Sequence, residues 1–507
     1  MKTLYLTMIK QALFISIMTC CCMGALAQAG SLDLTFNSVG YDLNFTNHYS
    51  QAFSVLIQPD GKMVAAGNHT DGNFDFAASR YNPDGSPDIS FANNGNFLES
   101  IGGDDWCYSV LLQPDGRLIM TGTSGERIAV VRLLTDGTLD SSFSVNGILT
   151  IKIDNKPSEG RCAALQPDGK ILVGGQDDED EIVVIRIASD GIIDSSFGVN
   201  GVAYSGVTGS PSFCNSITID HDGKIVAAGY ATNNMVLIRF NEEGFADNTF
   251  DSDGIIILDY DNFIHEALNS VLVQPDDKIL VGGSALNDFL LLRFNEDGSA
   301  DTTFSQDGVK MLDINGGQDF IHGIALQADG KIVATGKSED NLALMRLEED
   351  GSLDNSFGNG GGVLTSVPNS NATKGNAIAL QEDGKIVVAG AVDSGDFKFT
   401  VFRYLSDFAT GSFFPEEQAI NNTNFQLEIV PNPLATSATI RFHLGKNSMV
   451  KIELLNVYGA KIKTIIEKDF SEGNHLIEFR KGDLPGGVYF LKLSTQSLFS
   501  TGKMIIR

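Results

Sequence analysis

Basic residues are scarce in this chain: 35 Lys and Arg face 64 Asp and Glu, a formal charge of −29 at pH 7. That balance excludes nucleic acid as a partner, because phosphate binding needs clustered cations; calcium, basic peptides and neutral glycans fit better. Cysteine is scarcer, with six in 507 residues, and Cys20, Cys21 and Cys22 fall within the first 27. The remaining Cys107, Cys162 and Cys214 are an odd number without zinc-ligand spacing, and they read as buried thiols acting as small hydrophobes rather than as a disulfide or reactive site. Tryptophan occurs once, at Trp106. The histidines between 28 and 407 (His48, His69, His221, His265 and His322) are scattered and form no triad or metal motif. After residue 27 no apolar run is long enough to cross a membrane. The 42% hydrophobic and 20% charged fractions are nevertheless those of a globular protein.

Met1 to Ala27 reads as a secretory signal, with Lys2 and Lys10 supplying the positive start, Ala12 to Cys22 the apolar run and Ala25-Leu26-Ala27 the cleavage site. A lipoprotein anchored through Cys20, Cys21 or Cys22 is the competing reading, although none of the three follows the small residues a lipobox requires.

Residues 28–407 are dominated by one motif. Gln58-Pro59-Asp60-Gly61-Lys62 returns six times in close copies, its Asp at Asp60, Asp115, Asp168, Asp222, Asp276, Asp329 and Asp383. Pro, Asp and a left-handed Gly make a short hairpin turn, with Asp277 in place of Gly in the fifth unit. An apolar strand precedes each turn and one like Lys385-Ile386-Val387-Val388-Ala389-Gly390 follows it. A third strand carries an Arg, at Arg80, Arg132, Arg186, Arg239, Arg293, Arg346 and Arg403. A second turn then places an Asp at Asp33, Asp88, Asp140, Asp194, Asp247, Asp301 and Asp354, with a Phe three residues later.

Four short strands per unit and seven units specify an all-β fold, a seven-bladed β-propeller. The seventh unit breaks off after Arg403 while Gly30 to Phe36 supply the missing piece, so an N-terminal outer strand is expected to close the last blade. Seven residues before each first-turn Gly, or its Asp substitute, stand only small residues (Ser54, Ser109, Cys162, Ser216, Ser270, Gly323 and Ala377), as crowding around an axis demands. These hairpin and turn motifs over residues 29–407 resemble the delta-60 repeat of bacterial surface and secreted proteins. That resemblance implies a propeller and no particular activity.

Residues 408–428 read as a linker. Beyond it the charge changes sign: residues 429–507 carry eleven Lys and Arg against six Asp and Glu, so a separate module is expected. Alternation such as Val450-Lys451-Ile452-Glu453-Leu454 indicates a small β-sandwich. Its landmarks are Pro431-Asn432-Pro433, Gly459, Gly487, Tyr489 and Lys503. They resemble the type A sorting domain of type IX secretion cargo, with Asn456 where that family commonly has Asp. The resemblance implies recognition of residues 429–507 by the type IX secretion machinery, and a destination outside a Bacteroidetes-type cell, secreted or on the outer-membrane surface.

A residue that a ligand needs appears once or a few times, whereas one that every blade needs appears seven times. The Arg and Asp series is therefore expected to be structural, each Arg bonding the Asp turn and Arg403 reaching Asp33 across the closure. Asn82-x-Asp84-x-Ser86-x-Asp88 has some of the oxygen spacing of a calcium loop, but its Gly is misplaced for an EF-hand and these are ordinary turn residues. No cofactor is expected, calcium being the one candidate. Recognition is expected where the units differ, on the face opposite the repeated turns. Tyr49, Trp106, Phe263, Phe320 and the acidic Asp177, Asp178 and Asp180 are the candidates there, each with a bland reading as packing or solvated loop. The expected function is non-enzymatic binding of a protein or glycan. A hydrolytic or carbohydrate-active enzyme and a purely structural surface component are the alternatives.

Overall fold

The computed structural model describes residues 28–45, 48–208, 212–259 and 266–406, then most of 427–506. The expected leader and residues 408–426 of the expected linker, together with Phe263, Pro431, Asn432, Pro433 and Gly459, lie outside the described residues, while Leu427 and Glu428, read as the end of that linker, belong to a strand. The chain divides into two compact units, Met1–Phe414 and Pro415–Arg507.

The first unit holds seven four-stranded antiparallel sheets, the blades of a propeller. Blade 1 runs through Ser50–Ile57, Met63–Thr70, Phe74–Tyr81 and Asn96–Glu99, from the innermost strand outward, and the next five repeat this order. Blade 7 takes Ala372–Leu380, Ile386–Asp393 and Phe397–Tyr404 from the end of the unit, and Tyr41–Asn44 from its start. The closing strand is thus not the Gly30 to Phe36 segment that the motif suggested. That segment forms the second turn and contributes one bridge, Leu32 to Tyr404; the strand follows at Tyr41–Asn44, paired with Phe399–Phe402. A turn motif marks where a strand will start, not the strand itself.

The two repeated turns share one face, and the charged repeat residues join there. In every blade the Arg Nε donates to the Asp Oδ2 at 2.6–2.9 Å. The Lys or Arg of the first turn approaches the same oxygen at 2.7–3.9 Å, from Lys331 on Asp354 to Lys385 on Asp33. The Arg Cζ lies 4.5–4.9 Å from the ring centre of the Phe three residues after the Asp. Arg Nη1 then crosses to the following blade: Arg80 donates to the Thr135 carbonyl at 2.6 Å, Arg293 to Glu349 at 2.6 Å, Arg346 to the Ser406 hydroxyl at 3.1 Å, and Arg403 to the Pro83 carbonyl. One buried guanidinium therefore holds its own turn and the next blade together. Asp277 adopts the left-handed conformation, φ 65°, that the glycines of the other first turns adopt.

Each innermost strand carries a β-bulge, between Ala52 and Ser54 in blade 1 and at the equivalent point in the others. The Gly ending the second-strand motif makes it feasible. A Cβ on Gly67 would sit 1.9 Å from the Gln51 carbonyl oxygen, and one on Gly122 1.8 Å from that of Trp106. The bulge turns one side chain per blade toward its neighbours around the axis.

The second unit is a small sandwich. A three-stranded sheet (Leu427–Val430, Ser437–Leu444, Gly473–Arg480) and a four-stranded one (Lys461–Phe470, Ser448–Leu455, Gly487–Ser494, Phe499–Ile506) share a core that includes Ile440, Phe442, Ile452, Leu454, Leu491 and Met504. Tyr489 is buried in it, while Gly487 and Lys503 lie on adjacent paired strands. Among the described residues no helix is long and apolar enough to cross a membrane.

Candidate functional site

The bulged residues are Phe53, Tyr108, Arg161, Asn215, Asn269, His322 and Asn376, and they fall into two groups. In blades 4 to 7 each donates to a main-chain carbonyl of the next innermost strand: Asn215 to Leu268 at 3.1 Å, Asn269 to Ile321 at 2.8 Å, His322 Nδ1 to Gly375 at 2.8 Å and Asn376 to Ala52 at 2.7 Å. Burial pulls the His322 imidazole down to about 4, so it is neutral at pH 7 and serves as a donor in this belt.

In blades 1 to 3 the belt is replaced by aromatic and cationic groups. Phe397, Tyr49, Phe74 and Trp106 follow one another with ring centres 5.6, 5.4 and 4.3 Å apart. Trp106 stacks beside Tyr108 at 6.3 Å, and Phe53 packs on Tyr108 at 5.4 Å. The Arg161 Cζ lies 5.5 Å from the Tyr108 ring centre and 3.5 Å from that of Phe213, which meets Tyr230 at 5.3 Å. Lys374 Nζ stands 4.8 Å from the Phe397 ring at the other end. All of these side chains are half-buried. They form a continuous aromatic arc across blades 7, 1, 2, 3 and 4, at the end of the axis where the innermost strands begin. Partly exposed aromatic faces with a few polar groups suit flat, hydroxyl-rich ligands as well as apolar ones.

Of the sequence candidates, Tyr49 and Trp106 belong to the arc. Phe320 holds the strand position equivalent to Trp106, paired in register with Lys337. The acidic run is elsewhere engaged: Asp177 Oδ1 accepts the amides of Glu179 and Glu181, Lys156 sits 3.2 Å from Asp178, and Asp180 takes the left-handed corner of that turn at φ 55°. In the loop with calcium-like spacing, Asp84 Oδ1 accepts the Ser86 amide and hydroxyl, and Asp88 faces the cations Arg80 and Lys62. Where blade 5 meets blade 6, one carboxylate oxygen each of Asp288, Asp313 and Asp319 lies within 4.8 Å of the others, and burial followed by mutual repulsion raises Asp288. Cys107, Cys162 and Cys214 are buried free thiols; the Cys162 and Cys214 sulfurs are 3.5 Å apart, and burial raises both Cys107 and Cys162.

Sequence reasoning missed one repeated position. At the start of each innermost strand, within one residue of its first position, stands a buried polar residue: Ser50, Asp105, Ser158, Ser212, Glu266, Asp319 and Thr373. Four of these accept an amide of the incoming loop, as Asp105 does from Ile101 at 2.7 Å and Asp319 from Ile314 at 2.6 Å. The signal was available as a polar residue at the repeat period, hidden because four residue types share it.

Six segments, 58–91, 113–143, 166–197, 221–250, 274–304 and 327–357, match the domain of unknown function (DUF5122) beta-propeller, and residues 428–507 match the secretion system C-terminal sorting domain. No curated protein matches the chain. Among solved structures it is similar to a catalytically inactive virginiamycin B lyase from Staphylococcus aureus with quinupristin, at 14% identity and TM-score 0.44, covering 71% of this chain and 99% of that one. It is also similar to PorZ, a surface component of the type IX secretion system of Porphyromonas gingivalis, at 11% identity and TM-score 0.29, covering 90% and 82%. These likenesses extend no activity to this chain. Its sorting domain makes it secreted or cell-surface. The chain is thus built of DUF5122 β-propeller repeats followed by a C-terminal sorting domain for type IX secretion.

Proposed function

We propose that this exported propeller binds a glycan, without turning it over, through the aromatic arc at the loop end of its axis. The observation that carries the reading is the break in the sevenfold pattern. The bulge aims a side chain around the axis in every blade, yet only in blades 1 to 3 is that side chain Phe53, Tyr108 or Arg161 instead of a hydrogen-bonding stitch. Sugar rings present C–H faces that stack on such aromatics, and hydroxyls that the Tyr and Arg groups can meet.

A glycan array probed with the full-length chain, with and without calcium, tests this. Binding to defined glycans that falls at least about tenfold in Trp106→Ala is expected, in the range of a central aromatic anchor. Retained binding in Trp106→Ala combined with Tyr49→Ala would remove the arc as the site. Release of new reducing ends from a bound glycan would replace the binding reading with a catalytic one.

A further inference from the structure

The arc ends in two cationic groups whose needs the protein leaves incompletely met: an ammonium without a carboxylate partner and a guanidinium with one buried N–H unpaired. Lys374 is half-buried on the innermost strand of blade 7 with its amine over Phe397, and its electrostatic neighbour is another cation, Lys337 on blade 6. Neither lysine makes an ion pair with the described residues. Burial, reinforced by Lys337, pulls the Lys374 amine down to about 8. At the far end Arg161 presses on Phe213, and its Nε is buried without a hydrogen-bond partner. Glu159 approaches it only at 3.7 Å through Nη2.

These groups are costly to the free protein. A desolvated ammonium beside a like charge opposes folding, and a buried guanidinium N–H without an acceptor loses its hydration for nothing in return. The chain has carboxylates in excess, 64 against 35 basic residues, and the repeated cations of the opposite face are each matched to an aspartate. An unpaired lysine at one end of an aromatic surface and a guanidinium with a free buried N–H at the other are what an anion-bearing ligand would complete.

Resting on the glycan reading above, we propose that the arc takes an anionic saccharide, its rings lying on the aromatic faces and its acidic groups meeting Lys374 at one end and Arg161 at the other. Carboxylate and sulfate esters share the required chemistry, and the test separates them. The full-length chain is titrated by calorimetry with length-matched oligogalacturonates, sulfated galactan oligosaccharides and neutral galactan oligosaccharides. One acidic series is expected to bind at least about tenfold more tightly than the neutral one, the scale of a charge-assisted contact shielded from water. Lys374→Met and Arg161→Met should each abolish that preference, and thermal melts should leave Lys374→Met as stable as the parent or more so.

Equal affinity for neutral and acidic series overturns the charge assignment while leaving glycan binding intact. Acidic ligands bound equally well by both variants would place the anion site elsewhere and overturn it too. Failure of all three series to bind removes this inference and the glycan reading together.

Discussion

The two ends of the propeller obey different rules. At the turn end every blade repeats the same cluster of an Arg, an Asp, a Phe and a first-turn cation, Lys in six blades and Arg117 in blade 2, and each cation has a partner. At the loop end one strand position carries Asn or His in four blades and Phe, Tyr or Arg in three. Uniformity marks what each blade needs to dock on the next; departure from it marks what the assembled ring needs once.

That contrast breaks most visibly with Arg239→Ala. The substitution leaves Asp247 buried with only Lys224 opposite it and removes the bridge to the next blade, so a loss of about 3–5 kcal/mol is expected, as for other broken buried pairs. Chemical denaturation measures it, and a loss below about 1 kcal/mol would return the cluster to the rank of a surface ion pair.

Acid should strain the same end. Burial pushes the Asp247 carboxyl up, but the Thr249 hydroxyl and amide, Arg239 and Lys224 outweigh it and leave about 2. Asp194 is held at about 2 chiefly by the Ser196 hydroxyl. A carboxyl depressed in the folded state stabilises above its unfolded value, near 4, and that contribution disappears as pH falls through the folded value. The melting temperature should therefore hold from pH 7 to 5 and drop between about pH 4 and 2. A level profile to pH 2 would contradict the pairing.

The smallest effect belongs to the belt. Asn269→Ala removes the hydrogen bond to the Ile321 carbonyl and the one Asn269 accepts from the Asn215 amide, and should cost about 1–3 kcal/mol, measured by denaturation, with ligand affinity unchanged. A lost affinity would mean that the stitched side of the axis also contributes to binding.

The architecture was legible in the sequence because seven copies of a turn leave little freedom in strand number or order. The Lys of Gln-Pro-Asp-Gly-Lys was legible as a motif but not as a partner, since the aspartate it meets lies 26 residues on in blade 1, from Lys62 to Asp88. Small residues at the Ser54 position were read as crowding, and the structure adds a bond: the Ser54, Ser216 and Ser270 hydroxyls accept the Val110, Val271 and Ile324 amides of the next blade. The arc was legible only in pieces. Tyr49 and Trp106 stood out singly, but Phe397, Phe74, Tyr108, Arg161 and Lys374 come from different strands, and closure of the ring is what sets Phe397 beside Tyr49. No local pattern encodes a contact made across nearly the whole unit.

Closure also governs when the aromatic arc can form. Arg403 finds Asp33 across 370 positions of chain, and the Ala29 carbonyl accepts the Gly358 amide. Blades dominated by hairpin contacts can form as they emerge, but these long-range contacts must wait for both ends of the unit, and contacts of such high order form slowly. Because Phe397 and Tyr49 belong to opposite sides of that seam, the aromatic arc is complete only once the propeller has closed.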